Sequence, residues 1–336
     1  MSKIKISELG AATGNGLDKD SIAPIVDAAD DTTKKLTIEG LKAALAYGNT
    51  LNSTSNGTYI AAGVSNEITG TSNFIGGGST NEFASGNLGV IAGGAFNTIT
   101  SNANAAAILG GNNNTASGNF SAVGGGTGNT ASGISSVALG GNGNTVSANY
   151  SIVGVQDSTA SAARSVVLGK SCNSASTASD SVVTGEYGRS LLKGQRSHAA
   201  GRFTLTGDAQ YVDFVARNRT EDATPLELFL NGTNARLTLE ENSAMFLTVE
   251  VSGFSETGAD AAHYIRKVAI SNVANTTALI GSVSTIGTDV ETQAGYDVAI
   301  TADDTNEALV ITVTGAAATN IRWVAFISGT LIKMPA

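Results

Sequence analysis

Between Tyr59 and about Gly185, hydrophobic and polar positions return in one fixed order. The clearest instance is Ser136-Val137-Ala138-Leu139-Gly140-Gly141-Asn142-Gly143-Asn144-Thr145-Val146-Ser147. It recurs around Ala107-Ile108-Leu109-Gly110-Gly111 and Ala122-Val123-Gly124-Gly125, and more loosely around Val166-Val167-Leu168-Gly169 and Val182-Val183-Thr184-Gly185. With the asparagine or its stand-in as marker, the instances fall at 66, 81, 97, 114, 129, 144, 157 and 173, in steps of 13 to 17 residues. A unit this short holds neither a helix pair nor a propeller blade, so each one predicts a single coil of a β-solenoid. Alternation sets Val137 and Leu139 on one face of a strand and Ser136, Ala138 and Gly140 on the other. Two such strands enclose little volume. At about 25 cal/mol per Å², burial within one coil barely offsets the ordering of its backbone. Identical chains packed side by side supply the missing burial, so the repeats predict an obligate homo-oligomer, with three chains the natural closed arrangement. Nine coils at about 4.8 Å each give a rod near 40 Å.

The pattern changes at both ends. Before the repeats, Ser21–Asp27 reads as a short extended segment and Thr37–Leu45 as one short helix, with Thr37 as N-cap and Ile38, Leu41 and Leu45 on one face. Beyond Gly201, strand-like runs cover 211–215, 226–230 and 235–239, then 245–251, 264–270, 278–283, 296–301, 308–314 and 321–332. Turn residues such as Asp303-Asp304-Thr305-Asn306 separate the later runs at spacings typical of an antiparallel sandwich. The expected fold is therefore mostly β. It comprises an extended and helical attachment segment over 1–50 and a trimeric parallel β-roll or solenoid shaft over 51–200. A β connector over 201–240 and an antiparallel β-sandwich over 241–336, the receptor-binding tip, complete it.

Composition sharpens this picture. Net charge is −9, which argues against a nucleic-acid partner. Glycine numbers 41 against 3 prolines, and no Asp, Glu, Lys or Arg occurs from Phe83 to Gln156. A stretch that long without charge aggregates unless its edges are covered, by its own coils or by partner chains. The single cysteine, Cys172, forms no intramolecular disulfide framework. The first residues lack the apolar core of a secretory signal, and no apolar run reaches the roughly 18 residues of a membrane span. Synthesis in a host cytoplasm without membrane insertion is expected.

The Ser-Val-Ala-Leu-Gly unit followed by Asn-Thr-Val/Ala-Ser resembles the head repeats of trimeric autotransporter adhesins, which implies a left-handed parallel β-roll in a trimer. Over the ends the chain is similar to bacteriophage fibre proteins. The similarity rests on Ala23-Pro24-Ile25-Val26, Thr32–Thr37 and Leu41–Leu45, on Gly207-Asp208-Ala209-Gln210, Arg219-Thr220, Pro225–Leu228 and Asn231-Gly232, and on Thr301–Asn306, Ala308–Ile311 and Ile321–Ala325. This resemblance implies a virion location, with residues 1–50 docking on a tail adaptor or nozzle, or on a capsid protein. The implied function is adhesion to a host surface glycan or protein. The alternatives are a capsid-attached head fibre or decoration protein, a polysaccharide-depolymerising tailspike, and a cellular trimeric adhesin, which the missing export and anchor segments disfavour.

Candidate chemistry is sparse. Gly140–Thr145 is like a calcium nonapeptide, but Thr145 stands where that site needs a carboxylate. Gly124–Gly128 lacks the lysine and helix of a phosphate loop. The recurring asparagines, Asn81, Asn97, Asn114, Asn129 and Asn144, read as turn residues that bond backbone and stack as a ladder. The threonine column Thr98, Thr115, Thr130 and Thr145 raises the remote option of an ice surface. Sugar cleavage needs two carboxylates about 5 to 10 Å apart in an aromatic-lined groove, and Asp30-Asp31 and Asp303-Asp304 read instead as turn residues. No catalytic residue, cofactor or metal site is assigned, and no enzymatic activity is expected. Tyr264, Arg266 and Tyr296 are taken as receptor-contact residues, while Trp323, which shares its face with Ile321, Ala325 and Ile327, is assigned to the core.

Overall fold

The computed structural model describes residues 22–26, 33–37, 48–52, 58–100 and 103–335. Ile22–Val26 and Thr33–Thr37 pair antiparallel. The helix expected over 37–45 lies outside the described residues, apart from Thr37, which closes the second of these strands. No helix occurs among the described residues.

From Thr50 to Ala200 the chain winds as a parallel β-solenoid. One sheet has 10 strands, from Thr50–Asn52 to Arg189–Ser190; nine steps of about 4.8 Å make it about 43 Å long. Its outward column carries threonines, so we call it the hydroxyl sheet. The second, the aliphatic sheet, runs from Tyr59–Ile60 to Arg196–Ala200. Between them the coils narrow to isolated parallel bridges such as Asn112↔Thr127↔Asn142.

The inward residues explain why the rod tapers chemically. Ile68, Phe83 and Ile99 of the hydroxyl sheet face Ile60, Ile75, Ile91 and Ile108 of the aliphatic one, all buried. Further along, the inward residues shrink to Ala116, Ala131 and Ala138, and then to Ser174 and Ser190. Ser174 and Ser190 avoid the cost of a buried unpaired hydroxyl by bonding Ser165 (3.0 Å) and Ser181 (2.9 Å). At the corners between strands, backbones of successive coils approach closely enough to require glycine. At Gly126 (φ +84°) an added Cβ would stand 2.0 Å from the Gly141 carbonyl oxygen of the next coil.

The recurring asparagines form a continuous internal ladder. Asn81, Asn97, Asn114, Asn129 and Asn144 are fully buried. In each, Oδ1 accepts the backbone N–H of the equivalent residue one coil on, from Asn81 to Asn97 (3.1 Å) through Asn144 to Ser158 (3.1 Å). The Nδ2 groups of Asn114 and Asn129 donate to glycine carbonyls of their own and the following coil. Past Asn144 the column continues as Ser158 and Cys172, whose thiol is buried and pushed up by desolvation.

A coil-to-coil ion group stands outside the uncharged stretch: Asp180 accepts from Arg164 (2.6 and 3.2 Å) and from Lys193. These bonds lower its carboxyl to about 2. A group depressed in the folded state stabilises it above the unfolded value near 4, and that contribution disappears as pH falls through the folded value. Backbone amides of these coils should therefore exchange faster as pH drops from about 4 to about 2, and Asp180→Asn should remove this pH dependence. Hydrogen exchange corrected for intrinsic rates reads it.

Beyond the shaft, Ala209–Thr220 pairs antiparallel with the last coil through Tyr211–Asp213, and along its whole length with Ile321–Lys333. The sheet continues through Ser243–Ser255 to Ala261–Val273. A second sheet of Leu226–Glu227, Ala308–Thr314, Leu237–Thr238 and Asp297–Asp303 packs on it. One core joins Phe214, Val249, Trp323, Ile311 and Val313, so residues 209–335 share a single sandwich. Trp323 is fully buried and its indole N–H donates to Thr220 (2.9 Å).

Candidate functional site

The two broad faces of the shaft carry different chemistry, because register places every side chain beside its equivalent in the next coil. On the outside of the aliphatic sheet, Val90, Ala107, Ala122, Val137 and Ile152 form one column. Two positions along, Leu109, Gly124, Leu139, Gly154 and Leu168 alternate large and small. Leu109 is 66% exposed and Leu139 55%. An added Cβ on Gly154 would lie 3.4 Å from both Leu139 Cδ1 and Leu168 Cδ2, so the missing side chain leaves a hollow between the two leucines. At the adjoining corner, Phe120 and Tyr150 are exposed and hold positive φ (58° and 59°), a conformation that costs energy for bulky residues. Nearer the start, Tyr59 and Phe74 stack with centroids 6.2 Å apart. The face runs on without a break, since His198 pairs with Tyr211 and the outer side of the C-terminal sheet exposes Tyr211, Val215, Phe246 and Phe326. Sequence analysis separated the two faces of these strands correctly, and the structure gives the larger side chains to the outside.

The outside of the hydroxyl sheet is polar. Thr98, Thr115, Thr130, Thr145 and Thr159 stand in register, followed by Asn173 and Arg189. Ahead of them, Glu67 and Glu82 occupy the same column on neighbouring strands, both exposed. Parallel neighbours lie about 4.8 Å apart. This pair escaped sequence analysis, which looked for adjacent carboxylates and not for carboxylates one coil apart.

At the other end of the column, where the shaft meets the sandwich, lies a groove of about 420 Å³. Thr159, Asn173 and Arg189 floor it, and Asp157, Leu205, Thr206 and Lys333 wall it. Arg189 (3.0 Å) and Lys333 (2.6 Å) share one oxygen of Glu240. The wall over 203–207 is fixed by buried Asp208, whose carboxylate accepts the N–H groups of Phe203, Thr204 and Leu205.

The three residues taken for receptor contact are placed differently. Tyr264 and Tyr296 are buried in the sandwich, and Tyr296 packs edge-on against Trp323 at 6.0 Å. Burial pushes both phenols up. Arg266 is 8% exposed and holds Asp289 through two bonds of 2.6 and 2.7 Å. Residue type alone gave no account of the strand alternation that turns Tyr264 and Arg266 inward, or of the packing of Tyr296, just before Asp297–Asp303, on Trp323, so their assignment to a surface is corrected. Among the described residues, no cluster of three or more His, Cys, Asp or Glu side chains is arranged to hold a metal ion.

No family model matches the sequence, and no curated protein matches it. Among solved structures, the chain is similar to a tailspike protein of Acinetobacter baumannii bacteriophage Fri1, described as a capsular polysaccharide depolymerase. The identity is 9%, the alignment covers 94% of this chain and 76% of that one, and the TM-score is 0.26. It is also similar to the tailspike of Acinetobacter phage vB_ApiP_P1 (12% identity, 84% of this chain, 60% of that one, TM-score 0.24) and to that of A. baumannii phage AM24 (10%, 84%, 59%, 0.25). The chain thus spans about three-fifths of the length of the latter two. The expectation of no enzymatic activity is not upheld by these comparisons, since the Fri1 tailspike is described as a capsular polysaccharide depolymerase.

Proposed function

We propose that this chain is a homotrimeric phage tail protein, a fibre or spike, that attaches the particle to cell-surface polysaccharide. The carrying observation is the unequal shaft: an aliphatic face that is uncharged from Val90 to Ile152 and exposes Leu109 and Leu139, backed by the polar column of Thr98, Thr115, Thr130, Thr145 and Thr159. Three parallel copies turned aliphatic side inward would bury the first and display the second on every flank, repeating each weak sugar contact three times. Residues 1–50 would dock on the virion, at a tail adaptor or nozzle in this reading and at the capsid if the protein is a head fibre. The tailspikes of like fold support a place in the tail.

The test is solution mass together with binding of the full chain to a panel of encapsulated bacteria and their purified capsules. A mass of three times 33.7 kDa and saturable binding to at least one capsule are expected. A monomer, or a trimer that binds none of the capsules, would overturn the reading.

A second reading, a depolymerase, is favoured by Glu67 and Glu82. Their backbone spacing of about 4.8 Å is close to the roughly 5–5.5 Å between the paired carboxyl groups of retaining glycosidases. Release of new reducing ends from a bound capsule, abolished by Glu82→Gln with binding retained, would establish it. Intact polymer after prolonged incubation would leave attachment alone.

A further inference from the structure

We infer that the outer face of the hydroxyl sheet and the groove at its end form one binding track for a linear anionic saccharide, with an acidic group of the ligand held by Arg189 and Lys333. This inference rests on the polysaccharide-attachment reading and assigns it a location. Three observations carry it.

The first is charge. In a chain of net charge −9, Arg189 and Lys333 converge on a single oxygen of Glu240, so two cations share one carboxylate at a solvent-filled groove. A second anion arriving from the groove completes the pairing. Asp157, on the opposite wall, lies toward the preceding coil: a Cβ on Gly143 would meet its Oδ1 at 2.5 Å.

The second is the approach. Thr159 and Asn173 belong both to the groove and to the column that runs back through Thr145, Thr130, Thr115 and Thr98. From Thr98 to Thr159 the column is about 19 Å long at about 4.8 Å per coil. No charged residue interrupts this face between Glu82 and Asp157. A row of evenly spaced hydroxyls offers donors and acceptors to a repeating chain of sugar hydroxyls and nothing to an apolar ligand. The column ends at Glu82 and Glu67, which repel an acidic ligand and so set its extent.

The third is rigidity. Asp208 pins the groove's outer wall through three backbone N–H groups, so the cleft exists before any ligand arrives.

The experiment is titration calorimetry on the full chain with three probes: an oligogalacturonate, a poly(glycerol phosphate) and a neutral dextran. Carboxylate and phosphate polymers share the chemistry that the two cations recognise, and their ratio tells which source the site prefers. At least one acidic polymer should bind at least tenfold more tightly than dextran, with affinity falling as salt rises. Lys333→Met should weaken it about tenfold, and Thr145→Val, on the track and remote from Glu240, about threefold. Thr145→Val is the check against a variant that merely loosens the shaft–sandwich joint. Equal affinity for dextran and both acidic polymers, or unchanged binding by both variants, would overturn the track. A protein that binds whole capsule undiminished by both variants would sink the track and leave the attachment reading standing.

Discussion

Asn129→Ala should lower stability by about 2 to 6 kcal/mol. The side chain is fully buried, and each of its polar atoms is committed. Nδ2 donates to Asn114 Oδ1 (3.1 Å), Gly125 O (2.8 Å) and Gly141 O (3.0 Å), while Oδ1 accepts Asn144 N–H (3.0 Å). Alanine leaves the Gly125 carbonyl and the Asn144 N–H without partners, at about 1–3 kcal/mol each, while the Gly141 carbonyl keeps the N–H of Thr127. The groups affected belong to two successive coils, so the loss falls on the couplings that hold a solenoid together. Asn142→Ala, at an exposed asparagine two residues before the ladder, should stay within about 0.5 kcal/mol of wild type. Chemical denaturation compares the two. Matching midpoints would show that the ladder carries no stability.

The sequence pattern made the solenoid legible because every coil repeats the same local decisions: a short apolar strand, a glycine where backbones approach closely, and an asparagine directly after a left-handed corner residue. The sandwich strands were legible for the ordinary reason of alternation. Ala278–Val283 was not, since pairing stops at Leu279 and resumes with Ser284–Thr285. What stayed hidden follows from what a linear reading lacks. Alternation grouped Leu139 with Val137 without saying which face turns inward; Ala138 and Val146 are buried at that height, and the leucine faces out. Tyr264 and Arg266 read as surface residues by type, yet they alternate with Ile265 on a strand whose other face is solvent-directed. Glu67 and Glu82, fifteen residues apart, become neighbours only once the coil length is known to place them in one column. The groove needs still more, since Arg189 and Lys333 meet across the joint between shaft and sandwich through Glu240.

Leu139→Asp should convert the assembled protein to single chains. On an isolated protomer the change is nearly free, because Leu139 is 55% exposed and Gly154 beside it bears no side chain. Around a shared axis the outcome differs. Three copies at equal height bring three Leu139 side chains together, and the glycine layers one coil above and below give those side chains space to spread along the axis. Aspartate there brings three carboxylates into an apolar layer, at several kcal/mol for each unpaired ion removed from water. Association should weaken by well over a hundredfold, since each 1.4 kcal/mol is a factor of ten. Thr130→Asp places the same charge on the opposite face of the same stretch and should leave the mass at three chains. Light scattering at micromolar protein reads both. Only a parallel arrangement brings shaft against shaft and the outer side of each sandwich, with Phe246 and Phe326, against its equivalents at the same time. Phe326→Asp should therefore weaken the trimer as Leu139→Asp does, whereas a shaft-only contact would leave it intact; dissociation by Thr130→Asp with survival of Leu139→Asp would instead turn the hydroxyl face inward.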